Sequence, residues 1–262
     1  ELQEYAGTGM MTYEPQRGYS DSDADKSFRK SQDKYGSIRS IGSKVAAADS
    51  RYPYNNDFGG TNVTVSSLKE WGAGSVILWV GHGAYDKTLG PCLVTNEKVT
   101  DDNKYAADRS NDRIVLTNNN DPNDNYYIVT SKFFDQYYKN NSLNGSMIWL
   151  GACNSARDNR LTDVLLNKGA STVIGNTNPA YIPRLIYMTN EFFGNLTSIY
   201  SATGNPYTAG EALRAAKNQA DAKKIIDSTL SVAAGGALRA NELVIRGNEN
   251  WTLGSGATVT GY

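Results

Sequence analysis

Two short runs of the chain are apolar without interruption, Val76 to Val80 (VILWV) and Met147 to Leu150 (MIWL), and each leads into glycine. Such a run has the length of a strand and no polar face. It therefore predicts a strand buried on both sides, as in a parallel sheet. A third run, STVIGN from Ser171 to Asn176, follows a helical pattern around Leu161, Val164 and Leu165 that ends at Gly169. Leu185, Met188, Phe192, Leu196 and Ile199 recur at three or four residue spacing and predict a long amphipathic helix from Arg184 to Ile199. Thr208 and Glu211 have the capping-box spacing for another helix, running through Ile226.

Elsewhere the pattern is weaker. Val63 and Val65 alternate like a strand, and Ser66 or Ser67 caps a short helix carrying Leu68 and Trp71 before Gly72 and Gly74. Leu89 to Val94 and the residues after it read as loop. Ile114 to Leu116 and Tyr126 to Val129 read as short strands around NNNDPNDN, a dense turn signal. Thr130 or Ser131 then caps a helix with Phe133, Phe134, Tyr137 and Tyr138 on one side, closed by Asn144 and Gly145. Leu243 to Ile245 are a last strand candidate, and Gly254 to Tyr262 a β-like tail. Residues 1–60 are polar and tyrosine-rich, with an acidic tract at Asp21 to Asp25 and a helical turn or two between Lys26 and Ala48. They predict an N-terminal extension or pro-like segment packed on a main domain of residues 61–262. Strand and helix alternate from about Val63, so the expected class is α/β, a mostly parallel sheet with helices on both faces.

With 262 residues the chain can build one substantial core. Its 26 basic and 27 acidic residues leave a formal charge of −1, without the basic footprint of a nucleic-acid binder. No apolar run approaches the roughly 18 to 20 residues of a membrane span. The chain starts at Glu1 with no charged segment leading into an apolar stretch, as expected of a trimmed, mature form. A composition rich in Asn, Ser, Thr, Tyr and Gly suits a secreted or cell-surface protein. Asn62-Val63-Thr64 and Asn195-Leu196-Thr197 match the glycosylation acceptor pattern, which so many asparagines produce by chance. Cys92 and Cys153 allow at most one disulfide, too few for a disulfide scaffold.

The chemistry concentrates at two strand ends. His82, the only histidine, lies in WVGHG just after the first apolar run, and Cys153 lies in WLGACNSA just after the second. Open α/β sheets place ligands at the carboxyl ends of their strands. Taken singly, a strand-end histidine is a satisfied core residue more often than a base, and a buried cysteine packs as a small hydrophobe. Their matching settings favour a Cys–His dyad, because neighbouring parallel strands would bring them together across 71 residues (153 minus 82). Flanking Gly and Ala let a substrate backbone approach. Ser155 as nucleophile would need the same histidine. Cys92, beside Gly90-Pro91, reads as structural, although a disulfide to Cys153 would silence the dyad. Asp121, Asn123 and Asp124 are calcium-type ligands, but their spacing lacks the full EF-hand signature and reads first as a turn. One histidine and two distant cysteines argue against a structural zinc site.

An apolar strand ending in His-Gly, followed by an apolar strand ending in Ala-Cys and small polar residues, resembles the caspase-like clan of cysteine peptidases. That clan includes caspases, legumain, clostripain, gingipains and CHAT-type peptidases. The similarity covers about Asn62 to Gly247, includes the order of helices and the STVIGN strand, and is nearest the gingipain and CHAT branch. It implies a caspase-like three-layer sandwich and a cysteine endopeptidase acting on protein or peptide substrates. Its own propeptide is a further partner, since several relatives are zymogens. It also implies Cys153 as nucleophile, His82 as general acid and base, and the backbone N–H groups of Gly83 and Cys153 as an oxyanion hole, with no organic cofactor. Beside the loop after STVIGN it implies a specificity pocket of Asn176, Thr177, Asn178 and Tyr181, whose ordinary reading is turn chemistry around Pro179. Clostripain-like and legumain-like enzymes often carry an acid two positions before or one after the cysteine. Here those positions are Gly151 and Asn154, which does not support Arg or Lys specificity. Two other readings compete: a catalytically silent caspase-like domain serving as a binding or scaffolding module, and a hydrolase of another acyl bond.

Overall fold

Alternation within the apolar runs sets the layers. Val76, Leu78 and Val80 face one core while Ile77 and Trp79 face a second, and all five are fully buried. The computed structural model describes residues 10–14, 23–101, 103–117, 125–225 and 242–254. In chain order its first half contains β1 (Met10–Glu14), α1 (Asp23–Tyr35), α2 (Ile38–Ala48), β2 (Tyr54–Gly59), β3 (Val76–Val80), β4 (Gly83–Asp86), β5 (Gly90–Lys98), α3 (Ala106–Arg109), β6 (Ile114–Leu116) and β7 (Tyr126–Val129). The second half contains α4 (Ser131–Tyr137), β8 (Met147–Gly151), α5 (Arg160–Asn167), β9 (Thr172–Asn176), α6 (Ile182–Leu196), β10 (Ile199–Tyr200), β11 (Asn205–Pro206), α7 (Ala209–Ala222) and β12 (Leu243–Gly247).

Six strands form the central sheet in the order β2-β1-β3-β8-β9-β12, all parallel except β12, which runs antiparallel to β9. On one face Met10, Leu78, Trp149 and Ile174 meet Phe28 of α1, Ile41 of α2 and the buried sides of α6 and α7. On the other, Tyr13, Trp79, Ile148 and Val173 meet Phe133 and Phe134 of α4, Leu161 and Leu165 of α5, and the second sheet, β4-β5-β7-β6. Large side chains buried on both faces, each contributing about 1.5–3 kcal/mol, explain why these strands show no polar side in the sequence. The α/β class with a mostly parallel sheet between layers is thus observed. Among the described residues no helix is long and apolar enough to cross a membrane.

Several elements differ from expectation. Within the stretch expected to be an extension, β1 is part of the domain itself: it lies between β3 and β2, and its five residues are at most 1% exposed. Helix is also more extensive there than expected, with α1 and α2 covering most of residues 23–48. The stretch read as loop after Leu89 is a nine-residue strand, β5. Two of its buried polar residues are bonded: Thr95 Oγ1 donates to the Tyr127 carbonyl at 2.7 Å, and Glu97 accepts from the Val65 N–H at 2.9 Å. Val63 and Val65 are fully buried, but they stand on a turn and not on a strand. That turn is closed by reciprocal bonds between Thr64 and Ser67, 3.0 and 3.1 Å long. The acidic cluster Asp121, Asn123, Asp124 and the tail beyond Gly254 lie outside the described residues.

Candidate active site

The placement of the two reactive side chains follows from strand register. β3 and β8 are adjacent and parallel, with Val80 opposite Gly151. His82 and Cys153 therefore each stand two residues past the same rung of the ladder. The Gly81 N–H extends that ladder by donating to the Gly151 carbonyl at 3.0 Å. Beyond the rung the chains diverge: β4 turns into an antiparallel hairpin with β5, while the Cys153 chain enters a tight loop. Gly83 sits against that loop so closely that an added Cβ would be 2.3 Å from the Cys153 carbonyl oxygen and 3.1 Å from its nitrogen. Only glycine fits there.

His82 is exposed and Cys153 half-buried, and both line a cavity of about 110 Å³. Phe28, Gly81, Ala180, Ile182 and Leu185 complete its wall. The Cys153 sulfur accepts a hydrogen bond from the Ala180 N–H at 3.2 Å. Ala180 lies just before α6.

The loop that carries Cys153 is fixed from below. Ser155 is fully buried; its hydroxyl donates toward the carbonyls of Leu150 at 2.7 Å and Ala152 at 3.0 Å, and accepts from the Asn176 N–H at 3.0 Å. With its hydroxyl so engaged, Ser155 is scaffolding. Asn176, fully buried at the end of β9, donates its side-chain amide to the Ala152 carbonyl at 3.1 Å. Asn154 adopts a left-handed φ of 56°, which asparagine tolerates better than most residues. The loop also rests on Gly175, where a Cβ would meet Ala156 and Ser155 at 2.9 Å. On the outer side Arg157 stacks on Tyr85 of β4 at 4.4 Å, and Arg160 donates to the Lys87 carbonyl at 3.2 Å, tying the loop to the β4–β5 hairpin.

The four residues implied as a specificity pocket are not brought together at the cavity. Asn176 faces the loop interior. Thr177 is held by the Glu242 carbonyl, accepting its N–H at 3.0 Å, beside β12. The Asn178 carbonyl accepts from the Asn154 N–H at 3.1 Å, and Tyr181 lines a separate open groove with Lys26, Lys30, Lys34 and Pro183. The groups that do line the cavity came without a sequence signal for this role. Ala180 contributes a backbone donor, Leu185 looked like ordinary helix core, and Phe28 lies in the segment read as an extension.

Both cysteines are free, so no disulfide engages Cys153. Cys92 is buried in β5, its thiol against the Gly90 carbonyl at 3.3 Å, and burial pushes its pKa up to about 12. Among the described residues no group of three or more His, Cys, Asp or Glu side chains is placed to hold a metal ion. No protein-family model matches the chain, and no curated protein is significantly similar to it.

Proposed function

We propose that the protein is a cysteine endopeptidase of caspase-like architecture, with Cys153 as nucleophile and His82 as general acid and base. The observation that carries this reading is the shared rung: the sole histidine and the half-buried thiol stand at equal offsets past paired strands and open onto one cavity. The N–H from Ala180 supplies a donor of the type that an anionic sulfur uses.

In this mechanism the Cys153 sulfur attacks the peptide carbonyl carbon, and its proton passes to His82. The carbonyl oxygen takes up negative charge against the N–H groups of Gly83 and Cys153, where a donor of this kind is worth roughly 3 kcal/mol of barrier. As the C–N bond breaks, His82 returns the proton to the departing amine, leaving a thioester. Water, deprotonated by His82, then releases the carboxylic acid and restores the thiol. The close packing of Gly83 on Cys153 suits that role, since it sets the two backbones side by side.

The test is labelling by acyloxymethyl ketone probes together with hydrolysis of a diverse peptide library, comparing wild type with Cys153→Ala and His82→Ala. Both substitutions are expected to lower hydrolysis by at least about 1,000-fold, with the thermal transition little changed. Hydrolysis unaffected by loss of the thiol would overturn the assignment. A folded wild type that neither labels nor cleaves would leave a binding module.

A further inference from the structure

Resting on the peptidase reading, we infer that the substrate presents a medium-sized aliphatic residue, such as leucine, methionine or valine, on the acyl side of the cleaved bond. Its side chain would fill the cavity beside Cys153. A carbonyl carbon in reach of that sulfur is one bond from the Cα whose side chain must go somewhere, and this cavity adjoins the sulfur.

Its chemistry is one-sided. Apart from His82 and Cys153, the described residues of the wall are Phe28, Gly81, Ala180, Ile182 and Leu185, and none of these brings a carboxylate, ammonium, guanidinium or amide side chain. A lysine, arginine or aspartate entering it would surrender its hydration with no partner in return. The floor is firm: Phe28 and Leu185 are each 4% exposed and belong to the core shared by α1, α6 and the sheet. Size then narrows the choice. The void of about 110 Å³ is smaller than an apolar cavity of about 150 Å³ that takes up benzene, so a branched aliphatic group fits while a phenyl ring is crowded.

Charge is available nearby but elsewhere. Lys26, Lys30 and Lys34 line the open groove shared with Tyr181 and Pro183, and none of them lines the cavity. An acidic side chain would be read there, if at all, and not beside the sulfur.

The experiment uses the whole protein and acyloxymethyl ketones carrying Leu, Met, Val, Phe, Asp, Lys or Arg next to the reactive carbonyl, with second-order labelling rates read by mass at Cys153. Leu, Met and Val are expected to react at least about 100-fold faster than Asp, Lys and Arg, and roughly 10-fold faster than Phe. In Ile182→Ala, a change at a half-buried position at the start of α6, the Phe probe should gain about 10-fold relative to Leu. Equal or faster labelling by a charged probe overturns the inference while leaving the peptidase reading intact; an Asp preference would move recognition to the lysine groove. Reaction of Cys153 with iodoacetamide but with none of the seven ketones overturns both.

Discussion

The two thiols of this chain differ in setting. Cys92 is 2% exposed, and burial raises its pKa to about 12, so at pH 8 only about 1 in 10,000 molecules carries the thiolate there. Its protonated form persists until the pH passes that value. Native protein at pH 8 is therefore expected to take up one equivalent of iodoacetamide, at Cys153, and two equivalents in denaturant, as peptide mass mapping would show. Modification of Cys92 in the native state at a rate near that of Cys153 would contradict its burial. Residue by residue, the sequence made His82 and Cys153 legible because each follows a run with no polar face, which marks a strand end. It did not reveal Ala180, because a backbone N–H has no residue signature. The resemblance implies Asn176 as a pocket residue, yet its side-chain amide turns inward to bond the Ala152 carbonyl.

At the scale of elements, local chemistry and burial were readable to different degrees. The capping box of α7 is present as the spacing predicted: Thr208 Oγ1 accepts from the Glu211 N–H at 3.2 Å, and Glu211 Oε2 accepts from the Thr208 N–H at 2.9 Å. Thr208→Ala should lower stability by about 1 kcal/mol in urea unfolding. The Thr208 backbone N–H, and then its hydroxyl, hold the Glu211 carboxyl below its ordinary range. The contribution is therefore complete above the unfolded glutamate value of about 4.3 and is lost as pH falls through the lower folded value. Glu211→Gln should flatten the acid limb of a stability–pH curve below about pH 4; an unchanged limb would show the cap contributes nothing there. By contrast β5 was illegible, since Pro91 and the buried polar residues Thr95 and Glu97 look like loop until their partners are in view. The antiparallel direction of β12 was equally hidden, because five residues, three of them half-buried, carry no record of which way their neighbour runs.

For the whole molecule, the most consequential difference is β1. Its short run MMTYE ends in a buried glutamate and follows a polar start, so nothing in its composition marks it as central. Its place in the sheet gives the N-terminal residues a structural role that a removable segment would lack. Deleting residues 1–22 should take β3's parallel neighbour out of the sheet and abolish cooperative unfolding, with circular dichroism and thermal denaturation as the readout. A truncated chain that still melts cooperatively near the wild-type temperature would restore the separable segment. Any activating cut compatible with this fold must leave β1 seated.

The rung shared by β3 and β8 carries one more consequence. The hairpin, the second sheet and two helices intervene in the chain between His82 and Cys153, yet the alignment of the pair depends on none of their lengths. Chemistry and connectivity are decoupled. A chain with its ends joined by a linker and new ones opened in the exposed turn at Lys139 to Asn141 would reverse the order in which the two residues are synthesised. The same rung would still set them side by side.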